Sequence, residues 1–231
     1  MSDYVCQILP TSRVEEAAKV MADAFSDSPA YNYIFQGNVE YRKEALEWIF
    51  RQNIDLIRQR CPTALRGMYD MDTGDIQVCF LWTPSPYHDI SLWDLLYAGF
   101  WRMPFRYGFF TVYRLLRAMG DLERGQKMNL NHNLLTDGIP FVTLERMAVR
   151  SDCRGKGLGT KALTSIIREF MTSNESRYLR LTTQEERNVR FYQRLGYTVA
   201  GSEELCSENE TYRYTSWYMI FDAKNILSPP T

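Results

Sequence analysis

Between residues 141 and 170 an apolar run, a polar loop studded with glycines and an amphipathic helical pattern follow one another with little slack. Residues 141–149 read as a strand, and Leu163, Ile166, Ile167 and Phe170 then recur at helical spacing. A helix that leaves a strand through so short a loop must pack back on the sheet, so the chain is read as α/β. The loop between them, Arg150-Ser151-Asp152-Cys153-Arg154-Gly155-Lys156-Gly157-Leu158-Gly159-Thr160, opens that helix. Unpaired N–H groups and the positive end of the helix dipole make such a turn an anion site, and glycines let a phosphate approach without a Cβ in the way. Arg154 and Lys156 add charge beside it.

Three phosphate loops compete for this stretch. The kinase-type loop needs G-x-x-x-x-G-K-[ST], a spacing the chain lacks. Gly157-x-Gly159-x-x-Ala162 satisfies the loose dinucleotide fingerprint. That turn, however, normally follows its strand directly and opens the fold, and its next strand ends in an acidic residue; here a polar loop intervenes late in the chain and the next strand ends in Thr182-Thr183. The third option is a coenzyme A pyrophosphate loop. An apolar strand ending Met147-Ala148-Val149, then Arg154-x-x-Gly157-x-Gly159, then Asn188 followed by Phe191-Tyr192-Gln193-Arg194-Leu195-Gly196-Tyr197, is similar to the motif series of the GNAT acetyltransferase superfamily in both order and distance. The stretch Ala24-Phe25-Ser26-Asp27-Ser28-Pro29 is similar to a helix end in puromycin-type N-acetyltransferases of that superfamily.

The resemblance implies a central mixed, mostly antiparallel twisted sheet flanked by helices, and acetyl-CoA as the cofactor. It places the pantetheine arm along Met147, Ala148 and Val149, and the phosphates on Arg154, Gly155, Lys156, Gly157, Leu158, Gly159 and Thr160. Asn188 is implied to hydrogen-bond the pantetheine or the strand backbone, with helix capping as the plain alternative. Direct acetyl transfer through a tetrahedral intermediate needs a neutral nucleophile, oxyanion stabilisation and a proton for the leaving thiolate. Tyr192 matches the tyrosine that supplies that proton, which a phenol of pKa about 10 still holds at neutral pH; its other reading is an aromatic packed beside Leu195. For the base, Glu145 shares a strand face with Met147 by alternation and could accept an amine proton through water. His132 and water alone are the other candidates.

Elsewhere, Ser12-Arg13-Val14-Glu15 has capping-box spacing ahead of a helix carrying Val14, Ala17, Ala18, Met21 and Phe25, which ends before Ser28-Pro29. A second helix is predicted over 39–59, a hairpin over 65–69 and 76–82 broken by Thr83-Pro84-Ser85-Pro86, and one or two helices over 91–119. A strand over 178–183, a short helix over 188–195 closed by Gly196 and strands over 197–205 and 211–221 complete the pattern. The whole chain, 1–231, reads as a single domain in which 84–140 is a helical insertion before the acetyl-CoA strand, covering the acceptor side. Trp93, Tyr97, Trp101, Phe105 and Tyr113 of that insertion would line an acceptor pocket, pack as core or form a dimer contact.

Twenty-seven basic and 28 acidic residues leave a formal charge of -1, which gives no field to draw the chain onto nucleic acid or anionic membrane. The apolar stretch 92–119 fails as a membrane span because Asp94, Arg102, Arg106, Arg114 and Arg117 interrupt it, each central charge costing about 2.5–3.5 kcal/mol to insert. Five scattered cysteines form neither a disulfide framework nor a zinc cluster, and the N-terminus lacks a signal pattern, so reduced thiols, a cytoplasmic location and no metal are expected. The expected activity is acetylation of a small-molecule amine by a monomer or homodimer. Acetylation of a peptide or protein, and acyl-CoA sensing without turnover, are the alternatives.

Overall fold

Residues 6–85, 91–130, 139–173, 176–206 and 212–224 are described in the computed structural model. Seven strands form one sheet in the order β1-β2-β3-β4-β5-β7-β6, where β1 is Gln7–Ile8, β2 Leu65–Tyr69, β3 Ile76–Pro84, β4 Phe141–Val149, β5 Tyr178–Thr183, β6 Thr198–Cys206 and β7 Arg213–Asp222. Every pairing is antiparallel except β4 with β5, so the sheet is mixed and mostly antiparallel, as expected. The parallel pair needs a crossover, and the amphipathic helix α7 (Leu158–Ser173) supplies it.

A separate hydrophobic core lies on each sheet face. One joins helices α1 (Val14–Phe25) and α3 (Val39–Arg60) to Leu65, Cys79, Leu81 and Ala148. The other packs Leu158, Leu163, Ile166 and Phe170 of α7 on Val142, Leu144, Leu179 and Leu181. Of the β4 residues, Val142 and Leu144 pack in the α7 core and Ala148 in the α1–α3 core, whereas Leu179 and Leu181 of β5 both pack in the α7 core.

Several local expectations shift. Residues 11–13 form a 3-10 turn, so Ser12 lies inside that turn rather than at the cap of α1, and Arg13 holds the cap position with no side-chain cap bond; Glu16 accepts the Ile76 N–H at 2.7 Å and pairs with Arg13 at 2.7 Å. Pro29 opens a short helix, α2 (Pro29–Ile34), that the pattern did not suggest. Strand β3 runs through Thr83 to Pro84, because Pro84 sits at the strand end, paired with Val142, where a missing N–H costs least. The short helix over 188–195 begins earlier, as α8 (Glu186–Gln193).

Between β3 and β4 lie α4 (Leu92–Tyr97), α5 (Met103–Tyr107) and the long α6 (Phe109–Asn129). The inward anchors here are Met103, Tyr107 and Phe100: Tyr107 packs edge-on against Phe35 and Tyr41, and Phe100 against Trp48. No helix among the described residues is long and apolar enough to cross a membrane.

Candidate active site

The sheet splits at its centre. Strands β4 and β5 pair only through Phe141↔Tyr178, Val142↔Leu179 and Thr143↔Arg180; beyond these, β5 pairs with β7 alone. Residues 144–149 of β4 therefore turn a backbone edge that β5 does not pair toward an opening wedge. A bulge sharpens the divergence. Leu81 faces Glu145 and Cys79 faces Ala148, so two residues of β4, Arg146 and Met147, stand against Phe80 alone. Arg146 takes φ 50°, a left-handed conformation that a non-glycine residue holds at a cost of roughly 1–2 kcal/mol.

This bulge overturns the alternation argument for Glu145. Glu145, Arg146 and Met147 all line the same cavity, because the extra residue turns the strand. Glu145 accepts a 2.7 Å charged hydrogen bond from Arg146 Nη1. Burial opposes the Arg146 cation, yet Glu145 and the Tyr31 phenol beside it hold its pKa above the ordinary value. The carboxylate thus sits in the wedge as one half of an ion pair.

The glycine turn closes the outer end of the wedge. Gly155 and Gly157 adopt φ 76° and 74°, and a Cβ built on either would project into open space. Only glycine adopts this turn without strain. Gly157 offers its carbonyl to Lys161 N–H at 3.1 Å, and the amides of the first turn of α7 have no helical carbonyl to bond. Arg154 is half-exposed: its Nε donates to the Val149 carbonyl at 3.2 Å and Nη2 lies 3.8 Å from Asp23. A diphosphate cradle of backbone amides, two substituent-free turns and a cation lead directly onto the free strand edge, and these groups fit a coenzyme A molecule laid along β4.

Opposite that edge, α8 ends in a Schellman closure: Tyr197 N–H bonds the Tyr192 carbonyl at 3.1 Å and Gly196 takes φ 92°. This explains the Leu-Gly-Tyr spacing in physical terms. It holds Tyr192 with its ring against Phe191 and Tyr197, lining the cavity, and burial raises the phenol pKa. Asn188 is the third residue of α8 rather than its cap, the cap position being Glu185. Its Nδ2 donates to Thr183 Oγ1 at 3.3 Å, bracing the free end of β5.

One cavity of about 1240 Å³ runs from the glycine turn through the wedge to α3 and α6, and it contains most of the expected residues. Glu145, Met147, Val149, Arg154, Gly155, Gly157, Leu158, Gly159, Thr160, Asn188 and Tyr192 line it. Ala148 and Lys156 do not. Ala148 is buried in the α1–α3 core, where only its backbone could serve a ligand, and Lys156 is exposed on the outer side of the turn. His132 lies outside the described residues. The pocket expected from Trp93, Tyr97, Trp101, Phe105 and Tyr113 does not form: these rings are 52–87% exposed and none lines the cavity. Leu95, Phe100, Leu115 and Leu122 take that place.

Other lining residues carried no sequence signal. Arg180 is buried, donates to Thr143 at 2.9 Å and lies 3.8 Å from the centre of the Phe141 ring, at the point where the wedge opens. Asn53 on α3 and Thr83 on β3 join it. Thr83 and Thr143 face one another across the β3–β4 ladder, a register that only the folded sheet reveals.

Residues 128–197 match the Acetyltransferase (GNAT) family. No curated protein sequence matches the chain. Among solved structures, an agmatine N-acetyltransferase superposes with a TM-score of 0.61 at 10% identity, over 96% of this chain and all of the other. Arylalkylamine N-acetyltransferase 2 from Aedes aegypti gives 0.60 at 14% identity, over 96% and 100%. A histone acetyltransferase-related protein from Corynebacterium glutamicum gives 0.58 at 16% identity, over 99% of each chain. At these identities the likeness is one of fold.

Proposed function

We propose that the chain, whose residues 128–197 match the GNAT acetyltransferase family, is a member of that superfamily and transfers an acetyl group from acetyl-CoA to the amine of a small molecule. The observation that carries this reading is the edge of β4 left unpaired by β5, running from the glycine turn to the ring of Tyr192. When bound, acetyl-CoA supplies an acyl thioester at neutral pH. Backbone amides and Arg154 at the glycine turn would hold its phosphates, and the edge of residues 144–149 would pair with its arm as an added strand would. An N–H on that edge can polarise a carbonyl, which is worth most in a site shielded from water.

Tyr192 is the proposed acid. Burial keeps its proton in place at neutral pH, so the phenol stands ready to give it to a departing thiolate. Glu145 is the proposed base, accepting the amine proton through water while the Arg146 guanidinium, 2.7 Å away, orients the carboxylate. The helices between β3 and β4 cover the acceptor side in this reading, and a walled cavity favours a small acceptor over an extended peptide, which needs an open groove.

An assay of free thiol released from acetyl-CoA across a panel of small amines tests this function. Release that depends on the amine is expected. Tight acetyl-CoA binding with no thiol from any acceptor would instead make the protein a sensor.

A further inference from the structure

Six large apolar side chains stand on the outer side of the helices between β3 and β4. Trp101, Phe105, Phe109, Phe110, Tyr113 and Leu116 are 52–81% exposed. Their spacing joins them into one row. Trp101 and Phe105 lie one turn apart on the helical run formed by the 3-10 turn Phe100–Arg102 and α5, and the rings of Phe105 and Phe109 meet edge-on at 6.3 Å. On α6, Tyr113 and Leu116 follow Phe109 at i+4 and i+7, and Phe110 stands three residues before Tyr113. Met103 and Tyr107 anchor the segment inward while the row stays outside.

Area shows what the row can do. At roughly 150–250 Å² for each ring, the exposed parts of these residues come to on the order of 800 Å². The largest apolar patch on a lone chain is typically about 300–600 Å², whereas each partner in a stable pair covers about 800 Å². Composition points to protein as the partner. Residues 100–119 hold seven aromatic residues, two methionines and four arginines, with no Lys, Asp or Glu, which is the bias found at the centre of protein interfaces. An anionic lipid surface calls for a collar of surplus cations. Here Arg106 pairs with Glu44 at 2.8 Å, Arg102 lies over the Trp101 ring at 5.1 Å, and the formal charge of the chain is -1. Arg106 and Glu44 also put both signs at one exposed edge of the row, so two copies related by a twofold axis can meet there with opposite charges facing.

We propose that this face is the twofold interface of a homodimer, with Phe105, Phe109 and Phe110 at its centre. The pairing does not depend on acetyl transfer. It does reach the cavity: Leu116, and Met119 one residue short of a turn further on, belong to the lining, so the second copy borders the mouth of the acceptor end.

Sedimentation equilibrium of the full chain tests the pairing, and the parent is expected as a species of twice the chain mass. Phe109→Asp and Phe110→Asp each put an acid into the first turn of α6, where the positive end of the helix favours it, so circular dichroism should be unchanged. Each should weaken the dimer by about a hundredfold, as loss of a central aromatic anchor does. Met71→Asp, at an 85% exposed site in the turn between β2 and β3, should leave the dimer intact. A monomeric parent overturns the proposal, as does a dimer that persists in both α6 variants or one that Met71→Asp disrupts equally. Flotation of a monomeric parent with phosphatidylcholine–phosphatidylserine vesicles, abolished by the two α6 substitutions, would also overturn it, because the face would then serve a membrane.

Discussion

Tyr192 meets two demands with one environment: its ring is packed by Phe191 and Tyr197, while its position lines the cavity where the proposed reaction needs a proton. Burial raises its pKa, and that of Tyr197, above the usual value near 10. Because the folded values lie above the unfolded ones, the stability these neutral phenols contribute is fully present below about pH 10 and is lost as pH rises through the folded values. Ultraviolet titration should therefore show these two tyrosines ionising only with unfolding; early ionisation of both would contradict the packing. Tyr192→Phe should lower kcat by about a hundredfold and change coenzyme A affinity less than twofold. Equal turnover in steady-state assays would remove Tyr192 from the chemistry. At this scale the motif residues were legible in the sequence because the backbone demands them: positive φ at Gly155, Gly157 and Gly196 leaves a sequence signature. Asn53, Thr83 and Arg180 left none, since what places them in the cavity is helix docking and cross-strand register.

The element that shapes the acceptor end is α6, and two glycines set how closely it lies on the sheet. A Cβ on Gly125 would fall 1.7 Å from the Tyr218 hydroxyl and 2.7 Å from Glu203 Oε2, and one on Gly201 would fall 2.1 Å from Asn129 Oδ1. Arg124 adds a 3.0 Å ion pair to Glu203 on β6. Gly125→Ala must lift the helix or displace Tyr218, so we expect about 1–3 kcal/mol of destabilisation in denaturant unfolding, with a raised KM for the amine and little change in coenzyme A affinity. A stability and KM like those of the parent would mean that the contact yields easily. Strands β4 and β5 were predictable to the residue because each is a short run of strand-forming residues bounded by turn-forming or polar residues, with Val142, Leu144, Leu179 and Leu181 packed in one core. The pocket and core readings of the aromatic segment failed because its large rings face outward, and neither periodicity nor composition distinguishes the inward Phe100 and Tyr107 from the exposed Trp93 and Tyr97. The bulge at Arg146 was equally hidden, since no glycine marks it.

Over the whole molecule, one sheet carries a core on each face and parts between β4 and β5, so the wedge opens at the only parallel junction among the described strands. The α7 crossover that makes this junction also begins at the glycine turn, which ties the phosphate cradle to the wedge by covalent geometry. Sequence reasoning reached the phosphate turn through two motifs in register and expected the insertion 84–140 over the proposed acceptor side; the share of α3 in that wall depended on tertiary packing and came only with the fold. The most direct measurement is titration calorimetry of coenzyme A into the parent chain and Gly157→Glu. A carboxylate at that turn would occupy the cradle with like charge and strain a backbone at φ 74°. The account predicts saturable binding to the parent, and loss of binding in a variant whose circular dichroism is unchanged. Equal affinity in the two proteins would contradict it, because the diphosphate would then be held somewhere other than the glycine turn.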